Sequence, residues 1–187
     1  IGDRRQRQMC IRDSIYGADL IGIRLAKAWL DVDGKVTVVE KDLETANNLA
    51  GSDIGSHKNI EIIHGDHLDK NLLSEIEISS YDIAISALDD DHASIAAALL
   101  ASDMGVERTG LILYDADLVD VVRRMGITFS VDRKRVAIDS ILSRIHSELP
   151  GPYAVLSSVP DVIGICLPIN EKVKFACLLY TSDAADD

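Results

Sequence analysis

The strongest constraint on this chain is a rhythm. Short runs rich in β-branched and apolar residues alternate with runs that carry apolar side chains on one helical face, and the pair repeats from residue 15 to residue 131. Strands are expected at 15–16, 35–40, 59–64, 81–87, 109–114 and 127–131, and helices at 20–30, 43–50, 68–76, 91–104 and 118–125. Period-two runs joined by helices of about ten residues require crossover connections, which are right-handed and leave both faces of a parallel sheet covered. The expected fold is therefore α/β, a doubly wound, parallel, six-stranded sheet of the Rossmann-like plan.

The two ends break the rhythm. Read back into codons, residues 4–14 fit the transposase mosaic-end adapter of sequencing libraries, and residues 177–187 fit its reverse complement. Residues 1–14 and 177–187 are accordingly expected to be adapter-derived and not native, and are set aside for fold reasoning. A Rossmann-like domain is expected over 15–149. Pro150-Gly151-Pro152 then reads as a linker, and the β-rich stretch to residue 176 as the truncated start of a second, smaller module.

Of three cysteines, Cys10 and Cys177 lie in the set-aside ends, so Cys166 alone remains and no disulfide framework is expected. This favours a reducing, cytoplasmic setting. The formal net charge of −12 opposes binding to nucleic-acid phosphate. No apolar run approaches the roughly 20 residues that cross a bilayer, so direct membrane insertion is not expected.

The first strand–helix turn reads Gly17-Ala18-Asp19-Leu20-Ile21-Gly22. A dinucleotide-binding turn uses glycine at its first, third and sixth positions, for the tight turn, the approach of pyrophosphate and helix–strand packing. Gly17 and Gly22 hold the outer positions, and Asp19 replaces the middle one. At N-cap geometry its carboxylate would take the helix N–H groups that a phosphate needs. Glu40 ends the second strand where a ribose-binding acid is expected, with Lys41 beside it as a surface lysine. Gly65-Asp66 and Ala87-Leu88 follow the third and fourth strands at the same rim. Asp66 suits either a base or ribose contact or a plain turn. In Asp89-Asp90-Asp91 a helix cap comes first and a divalent-cation site second. His64, Asp66 and His67 lack the spacing of a zinc site.

In this order, the motifs resemble the TrkA-N, or RCK, domain. They are Gly17 to Gly22, Val38-Val39-Glu40-Lys41-Asp42, His64-Gly65-Asp66, Ser86-Ala87-Leu88-Asp89-Asp90-Asp91, Met104-Gly105, Tyr114-Asp115, and Met125-Gly126-Ile127 leading to Val131-Asp132-Arg133. The resemblance implies a cytoplasmic, non-enzymatic regulatory domain of a potassium transporter or channel, peripheral to the membrane through an integral-membrane partner. It implies binding of NAD(H) or ATP/ADP at Gly17, Ala18, Asp19, Leu20, Ile21, Gly22, Glu40, Lys41, Gly65, Asp66, Ala87 and Leu88. It also implies a homodimer or larger ring through the helix over 138–149, whose stripe is Ile138, Ile141, Leu142, Ile145 and Leu149. The residues by themselves leave three other readings open: an NAD-dependent oxidoreductase fragment, an adenosyl-binding methyltransferase, and a ligand-free scaffold.

Overall fold

The computed structural model describes residues 12–145, 153–155 and 163–165. The expected alternation is present: β1 (Arg12–Tyr16), α1 (Leu20–Asp31), β2 (Lys35–Glu40), α2 (Leu43–Ala50), β3 (Ile60–His64), α3 (Lys70–Glu75), β4 (Ile83–Ser86), α4 (Asp91–Asp103), β5 (Arg108–Leu113), α5 (Leu118–Arg124) and β6 (Phe129–Asp132). The six strands form one parallel sheet in the order β3-β2-β1-β4-β5-β6. Strand order runs outward from β1 to β3 and then jumps back across β1 to β4. The reversal point lies between β1 and β4, and in open α/β sheets ligands bind outside the strands' carboxyl ends at such a point.

Alternation along each strand sends neighbouring side chains to opposite faces. Ile15, Val36 and Val38 join Ala26 of α1 and Leu49 of α2 in one core. Tyr16 and Val39 join Leu73 of α3 with Ala97 and Ala101 of α4 in another. Leu111 and Leu113 complete that second face with Ala98 of α4 and Val122 of α5. Central strands buried on both faces read as continuous apolar runs, and β2 is buried from Val36 through Val39.

Four of the element boundaries move for identifiable reasons. β1 begins at Arg12, not at the expected stub of residues 15–16, because ladder bonds are made by backbone and tolerate polar side chains. Asp13 pairs in register with Val36 and Ile83, and Ser14 with Thr37 and Ala84. α3 starts at Lys70 because Asp69 caps it, the carboxylate accepting from Asn71 N–H at 2.9 Å. β6 starts two residues late because Ile127 is spent in the α4–α5 core before the strand begins. β4 contracts to four residues, since Tyr81 turns into the core ahead of it.

The residues after β6 form a separate unit. It contains α6 (Arg133–Ile145) and a short antiparallel pair, β7 (Tyr153–Val155) with β8 (Ile163–Ile165), in line with the β-rich stretch expected there. Within α6, Arg135 Nε donates to the Asp139 carboxylate one turn on, at 3.2 Å. Val136, Ile138 and Ile141 are exposed. Leu149, the linker prolines and residues 177–187 lie outside the described residues.

Candidate functional site

The carboxyl ends of β1, β2, β3 and β4 bring the expected turns together. Gly17 ends β1 with φ +99°, in the left-handed region that glycine enters without strain. A Cβ there would meet the Ala87 carbonyl oxygen at 2.9 Å and Leu88 Cδ2 at 3.1 Å, so the turn after β1 lies against the turn after β4. Gly22 is still more confined, since its Cβ would fall 2.0 Å from the Gly17 carbonyl oxygen. These two glycines do what their spacing promises: one makes the turn, the other lets α1 close on it.

The middle position behaves as its chemistry requires. Asp19 adopts the extended backbone of an N-cap, and its Oδ1 accepts from Ile21 N–H at 3.0 Å and Gly22 N–H at 2.8 Å. The Asp19 carboxylate thus stands where a phosphate would meet this helix terminus.

Glu40 is half-buried and is not idle. Its Oε2 accepts from Ala18 N–H at 2.6 Å, and its Oε1 accepts from Asp42 N–H at 2.7 Å. One carboxylate therefore fastens the turn after β1 to the turn after β2. Its own carbonyl accepts from Gly65 N–H at 2.9 Å, which brings in the turn after β3. Lys41 strengthens that second link, its Nζ lying 2.7 Å from Asp66 Oδ2. Asp66 also accepts from Leu68 N–H at 2.9 Å. The lysine bond first, and then the Leu68 N–H, hold the Asp66 carboxyl below the usual carboxylate range. Lys41 is more than the free surface lysine its sequence position suggests, and Asp66 is taken up by the turn and the ion pair.

The three acids after β4 divide their work. Asp90 caps α4, accepting from Ala93 N–H at 2.7 Å. Asp91 reaches the turn after β5, accepting from Tyr114 N–H at 2.9 Å and Asp115 N–H at 2.8 Å. Asp89 accepts from the Tyr114 hydroxyl at 2.9 Å. Among the described residues no group of three His, Cys, Asp or Glu side chains is placed to hold a metal ion.

Two residues near this rim carry no ligand signal in the sequence. Tyr16, at the end of β1, is fully buried, and its hydroxyl has no hydrogen-bond partner among the described residues; burial pushes the phenol up to about 12. His67 stacks on it at a centroid distance of 6.3 Å, with Nδ1 likewise unpartnered, and burial lowers its pKa below the usual histidine value. Only the position of His67, directly after Gly65-Asp66, hinted at either.

Comparison with known proteins agrees with the fold. The TrkA-N domain profile matches residues 14–132, the whole sheet but for the first two residues of β1. The chain belongs to the TrkA-N domain family. This TrkA-N domain is 28% identical over 135 residues to the Trk system potassium uptake protein TrkA of Vibrio alginolyticus, an alignment covering 72% of this chain and 28% of that protein. It is 29% identical over 143 residues to the protein of the same name from Halomonas elongata, covering 76% and 30%. The chain thus spans less than a third of the length of these relatives. Among solved structures it resembles the TrkA-N domain of the inner membrane protein ybaL from Escherichia coli, with a TM-score of 0.64 at 13% identity, over 74% of this chain and 99% of that one. It also resembles the GsuK channel bound to NAD, with a TM-score of 0.58 at 16% identity, over 67% and 22%. At these identities the structural likeness speaks for the fold.

Proposed function

We propose that this TrkA-N domain is a regulatory, gating module of a potassium transporter or channel, acting without catalysis. It would sit on the cytoplasmic side of the membrane, held there by an integral-membrane partner. Curated relatives are potassium uptake proteins, and solved structures of this fold include NAD-, ADP- and AMP-bound forms. The ligand would be NAD(H) or ATP/ADP, received at the rim formed by Gly17 to Gly22, Glu40, Lys41, Gly65, Asp66, Ala87 and Leu88. The observation that carries this reading is Glu40. Its carboxylate sits beside the strand-order reversal and holds two βα turns at once, so a ligand engaging it pulls on both. Ligand binding that favours one arrangement of these turns would shift the population of gating states.

Binding of NADH, ATP and ADP to the 187-residue chain, with and without Glu40→Ala, tests this directly. Loss of at least about tenfold in affinity, roughly 1.4 kcal/mol, is expected for the variant. Affinity unchanged by Glu40→Ala would refute the site. We further propose assembly through α6, so that a charged residue at Ile141 or Ile145 leaves monomers in light scattering. The adapter reading of residues 1–14 is also ours, and Asp13 supports it: the central strand of a parallel sheet carries there a fully buried carboxylate with one unpartnered oxygen. A second reading, a ligand-free scaffold, is favoured by one observation: the N–H groups of Ala18, Ile21 and Gly22 are already taken by internal carboxylates.

A further inference from the structure

Resting on the nucleotide-rim reading above, we propose that this rim recognises a nucleoside, through its vicinal ribose hydroxyls and its base, and that phosphate adds nothing to the affinity. Pyrophosphate-binding turns work by offering free N–H groups at a helix N-terminus. In this turn Ala18 N–H points to Glu40 at 2.6 Å, while Ile21 and Gly22 N–H point to Asp19 at 3.0 and 2.8 Å. A phosphate oxygen would have to displace a charged acceptor that is tethered to the chain and loses no translational freedom by staying. It would then lie beside that displaced carboxylate, like charge against like.

The rim lysine is already paired, since Lys41 Nζ lies on Asp66 at 2.7 Å. Acceptor capacity, by contrast, remains. Each Glu40 oxygen accepts one N–H, and a carboxylate oxygen can accept a second hydrogen bond. A vicinal diol, two adjacent donors, therefore meets Glu40 without evicting anything. Beside Ala18 the surface also opens into a mainly apolar concavity of about 230 Å³, lined by Ile23, Leu49 and Ile54 with Thr45, Asn48 and Ser52 as polar members. That is smaller than the roughly 300–1,000 Å³ of sites that enclose a whole ligand, and suits one heterocycle better than a dinucleotide.

Calorimetry of adenosine, AMP and NADH against the 187-residue chain, with Asp19→Asn and Asp19→Gly as variants, tests the inference. Asparagine keeps the cap and removes the charge, whereas glycine removes both and leaves the N–H groups free. On the unaltered chain adenosine should bind as tightly as AMP and NADH. Each variant should raise the ratio of NADH to adenosine affinity by at least about tenfold, chiefly by improving NADH. NADH binding about tenfold tighter than adenosine on the unaltered chain would overturn this inference and leave the nucleotide site standing. A ratio unmoved in both variants, or a change that is the same for adenosine and NADH, would overturn it as well. Binding of none of the three ligands by the unaltered chain would overturn both the inference and the site on which it rests.

Discussion

Asp13 offers a clean test of how this sheet is held together, because replacing it with asparagine changes the charge and little else. The side chain is fully buried in β1, between β2 and β4. Its Oδ2 accepts from Trp29 Nε1, and its Oδ1 has no hydrogen-bond partner among the described residues. Burial is the main force raising its carboxyl above the ordinary 3.8; the Trp29 hydrogen bond works against it, the Asp82 carboxylate adds to it, and Arg108 opposes it. A native state that holds this proton more tightly than the unfolded chain is favoured at low pH. The contribution is fully present below 3.8 and is lost as pH rises through the raised folded value. At neutral pH the ionised group is therefore a net cost. An unsatisfied buried polar atom costs about 1–3 kcal/mol, more when charged. Asp13→Asn keeps an oxygen for Trp29 and introduces an amide that also wants a partner, so a net gain of about 1–2 kcal/mol at pH 7 is expected. For a chain of this size that corresponds to a rise of roughly 2–8 °C in Tm. Urea titrations at pH 8, 6 and 4.5 measure it, and the advantage of the variant should be smaller at pH 4.5 than at pH 8. A variant less stable than the unaltered chain at pH 7, or one whose gain is the same at all three pH values, would show that the buried charge is not the cause.

Tyr16→Phe removes a buried hydroxyl without a partner and should stabilise the fold by about 1 kcal/mol at pH 7. It should also abolish the loss of stability that the raised phenol imposes between its ordinary value of 10 and about 12, read by far-ultraviolet circular dichroism along an alkaline titration. His67 has the opposite sign: its folded value is lowered by burial, so its contribution is present above 6.5 and lost as pH falls below it. His67→Phe, which can keep the stack on Tyr16, should flatten denaturant midpoints between pH 6.5 and 5, and an unchanged slope would rule out this histidine as the source. Gly22→Ala places a methyl 2.0 Å from the Gly17 carbonyl and should cost about 3 kcal/mol in chemical denaturation.

The fold was legible because backbone demands leave strong marks in sequence. The Val36 to Val39 run admits little but a strand buried on both faces, and Gly17 and Gly22 answer to contacts that no side chain tolerates. Boundaries blurred where a side chain was recruited across the fold: Ile127 into the α4–α5 core, Asp69 into a cap. The site was legible as positions and much less as bonds. That Glu40 belongs at the rim follows from the length of one strand–helix–strand unit, and Asp19 as a cap follows from its place before α1. That Glu40 holds Ala18 N–H, or that Asp91 reaches 23 residues ahead to Tyr114 N–H, depends on how two loops meet. No local propensity records such a meeting. The Lys41–Asp66 pair is the same case, two ordinary surface residues until β2 and β3 bring their turns side by side.

The acidity of the chain acquires a structural meaning at this rim. α1, α2, α3 and α4 each open with an aspartate whose carboxylate accepts helix N–H groups: Asp19, Asp42, Asp69 and Asp90. At Asp42 the Thr45 hydroxyl and N–H both donate to one oxygen, which holds that carboxyl below its usual range. Such caps stabilise the helices they open. An anionic ligand arriving at any of these termini must give back that stabilisation before it gains its own. The carboxyl edge of an α/β sheet usually draws anions because its helix termini are unsatisfied. On the inference drawn above, helix stability and anion affinity compete for the same N–H groups in this chain, and the aspartates favour the fold. What remains open at the edge is acceptor capacity, chiefly on Glu40, and a ligand that brings hydroxyl donors can use it while every cap stays in place.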